Sequence, residues 1–348
     1  MVMAVASSSK EHWKNYDTKN SPFLELKTPF TAWEAAKMAF FLPWLLPRIL
    51  LGVLSLTLLA IMSFFAALGW PLEDPMPPWR RRIVTASANC AGFVLLMLGF
   101  RIRVKGWENV ARAKQLGAIG LFNHSSWVDA VLIMFLFAPS GVSKESNAHL
   151  PLIGMCIRSF QNIYVSRGSI EGEKRQAGTE SVSDKIAKRA KDRRFPMLFM
   201  APEGTCGDGR CILRFRTGAF VPGVPVLPVA IAYNKRHHNP AWTIMNEGWH
   251  FVRMCCQFDN AVDVVILPTY VPSEEEKASP ALYAKNVQQL YAKTLNLPIV
   301  NQSQEEFRAL VSRGVAVRWD GRKIIAPAGV VDENGFTDLT VDVSKKSS

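Results

Sequence analysis

Residues 121–130 read LFNHSSWVDA. An apolar run leads into Asn123 and His124, two serines follow, and Asp129 stands five residues beyond the histidine. Five residues is about one and a half helical turns, so the carboxylate can turn back and accept a hydrogen bond from one imidazole nitrogen. That bond fixes the tautomer and leaves the other nitrogen able to accept a proton. The pair reads as a general base for an alcohol. The same spacing also describes a helix-capping loop with a satisfied imidazole, so the neighbouring motifs must decide. Residues 162–167 (NIYVSR) are an apolar run ending in Arg167, and Glu203, Gly204 and Thr205 form a turn directly after FPMLFM. A VPVLPV run follows at 224–229.

No metal is expected. The six cysteines, at 90, 156, 206, 211, 255 and 256, lack the density of a disulfide framework and the spacing of a structural zinc site. They read as free thiols in a reducing compartment.

These residues need a scaffold. Short β-rich runs at 118–122, 162–165, 196–200, 224–233 and 262–267 alternate with helical patterns at 126–137, 172–193 and 280–294. Such alternation predicts an α/β fold, a mixed sheet flanked by helices, with His124 at a strand end. The chain has 348 residues, 49% of them hydrophobic, and a net charge of +12. Residues 101–250 carry 21 basic and 11 acidic groups, which marks the middle of the chain for an anionic partner. Six of the ten residues at 185–194 are basic; they read as a solvated helix face or as a contact for phosphates.

Residues 49–70 are uncharged and mostly apolar, long enough for a bilayer core at about 33 Å as a helix. Residues 83–100 form a weaker second run, a returning span or a helix within one leaflet. A proline-rich turn with Arg80, Arg81 and Arg82 separates the two. Residues 31–47 suit a short interfacial helix ending near Pro43. The expected organisation is a polar tail over 1–30, a membrane-anchoring hairpin over 31–100, a catalytic domain over 101–300, and a C-terminal extension and tail over 301–348.

Taken in order, the His-Asp loop, the strand ending in Arg167, the E-G-T turn and the V-P-V-L-P-V strand resemble the four blocks of the glycerolipid acyltransferase family. Asn123 to Asp129 fill its N-H-x4-D block. Ala201 stands where most members have phenylalanine before P-E-G-T, and Ser166 stands where many have aspartate. The stretches EGTCGDGRCILRFRTGAFVPGVPV and CCQFDNAVDVVILPTYVPSEEEKASPALYAKNV are similar to the lysophosphatidylcholine and lysophosphatidylethanolamine acyltransferase branch. Some members of that branch carry calcium-binding EF-hands. At 330–341, placing Gly335 at loop position six puts Val330 and Val341 where oxygen ligands belong, so a short form without that module is expected.

The resemblance implies transfer of a fatty acyl group from acyl-CoA to the free glycerol hydroxyl, sn-2, of a lysophospholipid at a lipid bilayer. It assigns His124 as base, Asp129 as its orienter, Arg167 to the acceptor phosphate, and Glu203, Gly204 and Thr205 to the acceptor site. Acyl-CoA is a co-substrate, and the thioester is already activated, so no cofactor is expected. A lysophosphatidate or glycerol-3-phosphate acyltransferase is the alternative within the class. Outside it stands a membrane-tethered module binding anionic ligands. No nucleic-acid motif is present, so no nucleic-acid partner is expected. Lys345 and Lys346 resemble a dilysine retrieval signal, which predicts an endoplasmic reticulum membrane protein whose domain and C-terminus face the cytosol. Asn123-His124-Ser125 is also a formal glycosylation sequon.

Overall fold

The computed structural model describes residues 20–71, 73–150, 152–165 and 182–327. It opens with two helices, α1 (Ala32–Ala67) and α2 (Pro78–Met97). They run antiparallel. Gly52 lies opposite Met97, Ser55 donates to the Cys90 carbonyl at 3.0 Å, and Arg80 donates to the Ala66 carbonyl at 2.8 Å. Arg80 also reaches the Leu68 carbonyl, so a cation caps the end of α1, where unpaired carbonyls collect. Pro78 takes the first position of α2, where its missing N–H costs nothing.

The domain follows as β1 (Phe100–Lys105), α3 (Glu108–Leu116), β2 (Ile119–Phe122), α4 (Trp127–Phe137), β3 (Ser140–Lys144), α5 (Ile153–Ser159) and β4 (Ile163–Val165). Then come α6 (Val182–Lys191), β5 (Leu198–Met200), β6 (Val226–Tyr233), α7 (Glu247–Cys255) and β7 (Asn260–Ile266). The chain ends on α8 (Glu274–Ala278), α9 (Pro280–Leu295), α10 (Gln304–Ser312) and a ribbon of β8 (Ala316–Val317) and β9 (Ile324–Ile325).

Seven strands form one mixed sheet in the order β1-β7-β6-β2-β5-β3-β4. Every pairing is parallel except β6 with β7. The carboxyl ends of β6, β2, β5, β3 and β4 therefore share one edge. β6 lies mid-sheet, buried except at Ala232, which is why it reads as a continuous apolar run. One apolar cluster packs α2, α4 and α7 on one face, and Tyr283, Val287 and Tyr291 of α9 anchor a second.

Four expectations need correction. The helix expected to end near Pro43 runs on through Pro43 and Pro47. Its first half is held from outside: Lys37 bonds Glu34 and Gln257, and Arg48 donates to the Cys255 carbonyl at 2.6 Å. That docking offsets the bonds two prolines remove. The helix that carries the apolar run at 83–100 starts earlier, at Pro78, with the three arginines inside it, and Phe100 opens β1 instead. Within the expected N-terminal tail, Phe23 and Leu24 are buried against Leu213, Ile244 and Leu310. The short stretch Pro22 to Leu26 gives no periodic signal, yet Phe23 and Leu24 belong to this buried cluster. The sequence also misses β1 and β3. In β1, exposed arginines alternate with apolar residues, and Arg101 and Arg103 pair with Asp259 and Asp263.

Candidate active site

The site sits where three neighbouring strands end. β2 delivers Asn123 and His124, β5 delivers Glu203 to Cys206, and β6 ends on Tyr233. β2 lies between the other two, so residues 79 to 108 positions apart in sequence meet at one edge, as ligand sites of such sheets do.

Asn123 extends the pairing of β2 with β6. Its amide donates to the Ile231 carbonyl at 2.9 Å and accepts from the Ile231 N–H at 2.7 Å. Buried and doubly bonded, this side chain is not presented as the sequon would require. After it the chain turns and α4 begins. Ser126 caps the helix, accepting from the Val128 N–H at 3.2 Å, and Asp129 closes a capping box. The same carboxylate orients the histidine. Its Oδ2 accepts from the Ser125 and Ser126 N–H groups at 2.7 and 2.8 Å and lies 3.0 Å from His124 Nδ1. Its Oδ1 accepts from the Tyr233 hydroxyl. Burial, with the Asp129 charge beside it, holds the Tyr233 pKa well above its usual value, so the hydroxyl stays a donor. Asp129 is fully buried and held by four groups, so the imidazole it holds has little freedom.

Glu203 lies one layer back. Its carboxylate accepts the His124 N–H at 2.8 Å and the Leu213 N–H at 3.1 Å. It ties the His124 loop to the segment after the E-G-T turn. Burial pushes its carboxyl up to about 8, against those two bonds. Gly204 turns the chain at a φ of +69°, where a Cβ would sit 2.9 Å from Arg216 Nε. Thr205, half-buried, carries the chain on to Cys206. Cys206 Sγ lies 3.3 Å from His124 Nε2.

His124, Gly204 and Cys206 line a cavity of about 1750 Å³. One wall is α1, through Ile49, Gly52, Leu56 and Leu59; Arg214 and Arg216 stand at another. An apolar space with a base and guanidinium groups at its wall suits a molecule that is apolar at one end and anionic at the other.

The structure thus brings together His124, Asp129, Glu203, Gly204 and Thr205. Arg167 lies outside the described residues, as do Lys345, Lys346 and the 330–341 stretch. The basic run is partly structural: Arg189 donates to the Gln161 carbonyl at 2.7 Å and lies over the Phe195 ring at 3.8 Å. Sequence reasoning missed Cys206 and Tyr233. Cys206 follows E-G-T directly, but its facing His124 depends on β5 lying beside β2.

The acyltransferase family model matches residues 101–232. Lysophosphatidylcholine acyltransferase 2 of Rattus norvegicus is 32% identical over 288 residues, 77% of this chain and 51% of that protein. A lysophospholipid acyltransferase of Arabidopsis thaliana is 33% identical over 267 residues, 76% of this chain and 48% of that one. The chain spans about half the length of these curated relatives. Among solved structures, the 1-acyl-sn-glycerophosphate acyltransferase of Thermotoga maritima shares 20% identity over 72% of this chain and 95% of its own, with a TM-score of 0.48.

Proposed function

We propose that the chain, whose residues 101–232 match the acyltransferase family model, transfers a fatty acyl group from acyl-CoA to the free sn-2 hydroxyl of a lysophospholipid. The observation that carries this reading is the imidazole of His124, locked through Nδ1 on Asp129 at 3.0 Å and set in the wall of a large apolar cavity. In the proposed reaction Nε2 takes the proton of the acceptor hydroxyl, the oxygen attacks a thioester carbonyl, and the thiol leaves. Asp129 stabilises the imidazolium that forms. The acyl chains lie in the cavity against α1. Arg214 and Arg216 face the phosphates of one substrate. Arg167 serves the acceptor phosphate, so Arg167→Ala raises the KM for lysophospholipid more than that for acyl-CoA. The thioester is already activated, so the reaction asks for no cofactor.

The relatives are named for lysophosphatidylcholine and for lysophospholipids generally, which favours these acceptors over glycerol-3-phosphate. We place the domain on the cytosolic face of the endoplasmic reticulum, where acyl-CoA is held. The deciding experiment presents the purified chain with oleoyl-CoA and a panel of lysophospholipids, and follows free thiol and labelled phospholipid. Thiol release dependent on an acceptor supports the reading. Binding without release would leave only a module for anionic ligands. Protease added to intact microsomes tests the orientation: a C-terminal tag should be digested.

A further inference from the structure

Arg214 and Arg216 do not stand alone at the cavity wall. Glu305, in the first turn of α10, lines it beside them. Arg214 Nη2 donates to Glu305 Oε2 at 3.2 Å, Arg216 Nη2 lies 3.6 Å from Glu305 Oε1, and Arg216 also donates to the Gln304 amide oxygen at 3.0 Å. The Ser303 hydroxyl, and then the two guanidinium groups, hold the Glu305 carboxyl below its usual pKa against burial, so it is charged at neutral pH. The fold does not need this carboxylate to place α10. Backbone bonds of 2.9 to 3.2 Å join Ile212 to Pro298 and Val300, and Arg214 to Gln302, and Ser303 caps the helix through a box with Glu306. The Arg214 and Glu305 side chains are 53% and 59% exposed, and an ion pair so open to solvent adds little stability.

The two arginines belong to the acceptor end of the cavity. A Cβ at Gly204 would sit 2.9 Å from Arg216 Nε, and the Arg216 N–H donates to the Pro202 carbonyl at 2.8 Å. Cys206, two residues beyond Gly204, faces His124. In a lysophospholipid one carbon and one ester oxygen separate the hydroxyl-bearing carbon from phosphorus. The phosphates of acyl-CoA lie at the far end of the pantetheine arm. Guanidinium groups beside the E-G-T turn are therefore placed for the acceptor phosphate.

We propose that Glu305 reads the acceptor headgroup: Arg214 and Arg216 take its phosphate and Glu305 takes a cationic amine beyond it, so the site selects a zwitterionic lysophospholipid over one ending in a bare phosphate. The proposal rests on the acyltransferase reading above and deepens it. Two cations beside one carboxylate match, in reverse, a phosphodiester with an ammonium two carbons away. When the phosphate engages the guanidinium groups, the carboxylate loses the partners it now has, and the ammonium replaces them. A phosphate monoester carries about −1.5 to −2 charge at pH 7 and brings no cation, so Glu305 repels it. Glu305 lies beyond residues 101–232, which the family model matches, so headgroup reader and base come from different parts of the chain.

The test measures kcat/KM for lysophosphatidylethanolamine and for lysophosphatidate, with oleoyl-CoA as donor and the purified chain in neutral detergent micelles at one ionic strength. The wild type should favour the ethanolamine lipid. Glu305→Gln should move the ratio toward lysophosphatidate by about 3-fold or more, through KM, and Glu305→Lys should move it further. A carboxylate that only held α10 in place would lower both values together. On the wild type, N-acetylating the ethanolamine removes the positive charge and keeps the phosphodiester, and should cost about 3-fold or more in kcat/KM. That measurement decides alone should the variants fail to fold. A wild type that favours lysophosphatidate, a smaller shift in Glu305→Gln, or equal use of the N-acetylated lipid would overturn the proposal and leave acyl transfer standing. No transfer to any of these acceptors would sink the acyltransferase reading and this proposal with it.

Discussion

At the residue scale the site turns on one imidazole. Burial opposes charge on His124, but the Cys206 sulfur and the Asp129 carboxylate outweigh it and hold the pKa above 6.5. In the proposed reaction His124 takes the proton and so works unprotonated; transfer should then rise with pH along a limb whose midpoint lies above 6.5. Asp129→Asn removes the carboxylate. The midpoint should move down, and the plateau should fall by about 100- to 10,000-fold. A pH–rate profile of both proteins checks this; an unchanged midpoint in Asp129→Asn would show that another group titrates. Stability follows the same sign. The raised pKa contributes fully below the unfolded value of 6.5 and is lost as pH climbs through the folded value. The stability gap between wild type and His124→Ala should therefore narrow as the solution becomes alkaline. Glu203 is a different case, because both its carboxylate oxygens accept from backbone N–H groups. Glu203→Ala orphans the N–H groups of His124 and Leu213, at roughly 1–3 kcal/mol for each buried donor. Glu203→Gln keeps one acceptor oxygen and should fall between. Denaturant midpoints and kcat should move together across the series; full activity in Glu203→Ala would remove Glu203 from the positioning of His124.

At the element scale, what the sequence could show depended on range. The pairing of His124 with Asp129 was legible because it is local: the six residues 124–129 hold both side chains and the helix start. Strands β2, β4, β5, β6 and β7 were legible as apolar runs. Tyr233 and Cys206 were not, because their roles come from strand order, and no local pattern says that β2 lies between β5 and β6. β1 was hidden by arginines that only an edge strand tolerates. The long helix was hidden by two prolines whose cost is met by contacts with α7, far along the chain. That helix also sets a testable boundary. Ile49, Gly52, Leu56 and Leu59 recur at helical spacing and face the cavity. At Gly52 the nearest atom to an added Cβ is that of Met97, 3.9 Å away, so a side chain can enter the cavity from there. Gly52→Phe should shorten the space for an acyl chain. Rates with long-chain acyl-CoA should fall more than those with medium-chain acyl-CoA, and an unaltered chain-length profile would place the acyl group elsewhere.

At the scale of the whole molecule, α1 divides into a docked half and a bare apolar half. Its 36 residues make a rod of about 54 Å, longer than the roughly 30 Å of a bilayer core. The part up to Arg48 is tied to the domain by Glu34, Lys37 and Arg48. A buried ion pair suits contact with protein, not lipid. Beyond Arg48 the face away from the cavity is bare and apolar: Leu50, Leu54, Leu58, Ile61 and Phe65 are 47–65% exposed. Trp33 and Trp44 are also exposed, at 60% each, in the docked half, where aromatic residues would meet the headgroup layer. Water does not tolerate such a stripe on one helix, whereas lipid covers it without cost. One side of α1 thus walls the cavity while the other is a bare apolar surface of the kind lipid covers. Leu54→Lys with Leu58→Lys places two charges on the bare face and touches neither His124 nor the ion pairs. At the centre of a membrane helix each lysine costs roughly 2.5–3.5 kcal/mol. The double variant should leave the membrane pellet at high pH, where the wild type remains, and should keep thiol release from oleoyl-CoA in micelles. If it sediments with membranes as the wild type does, α1 does not hold the chain in the bilayer, and its apolar face must be covered by protein.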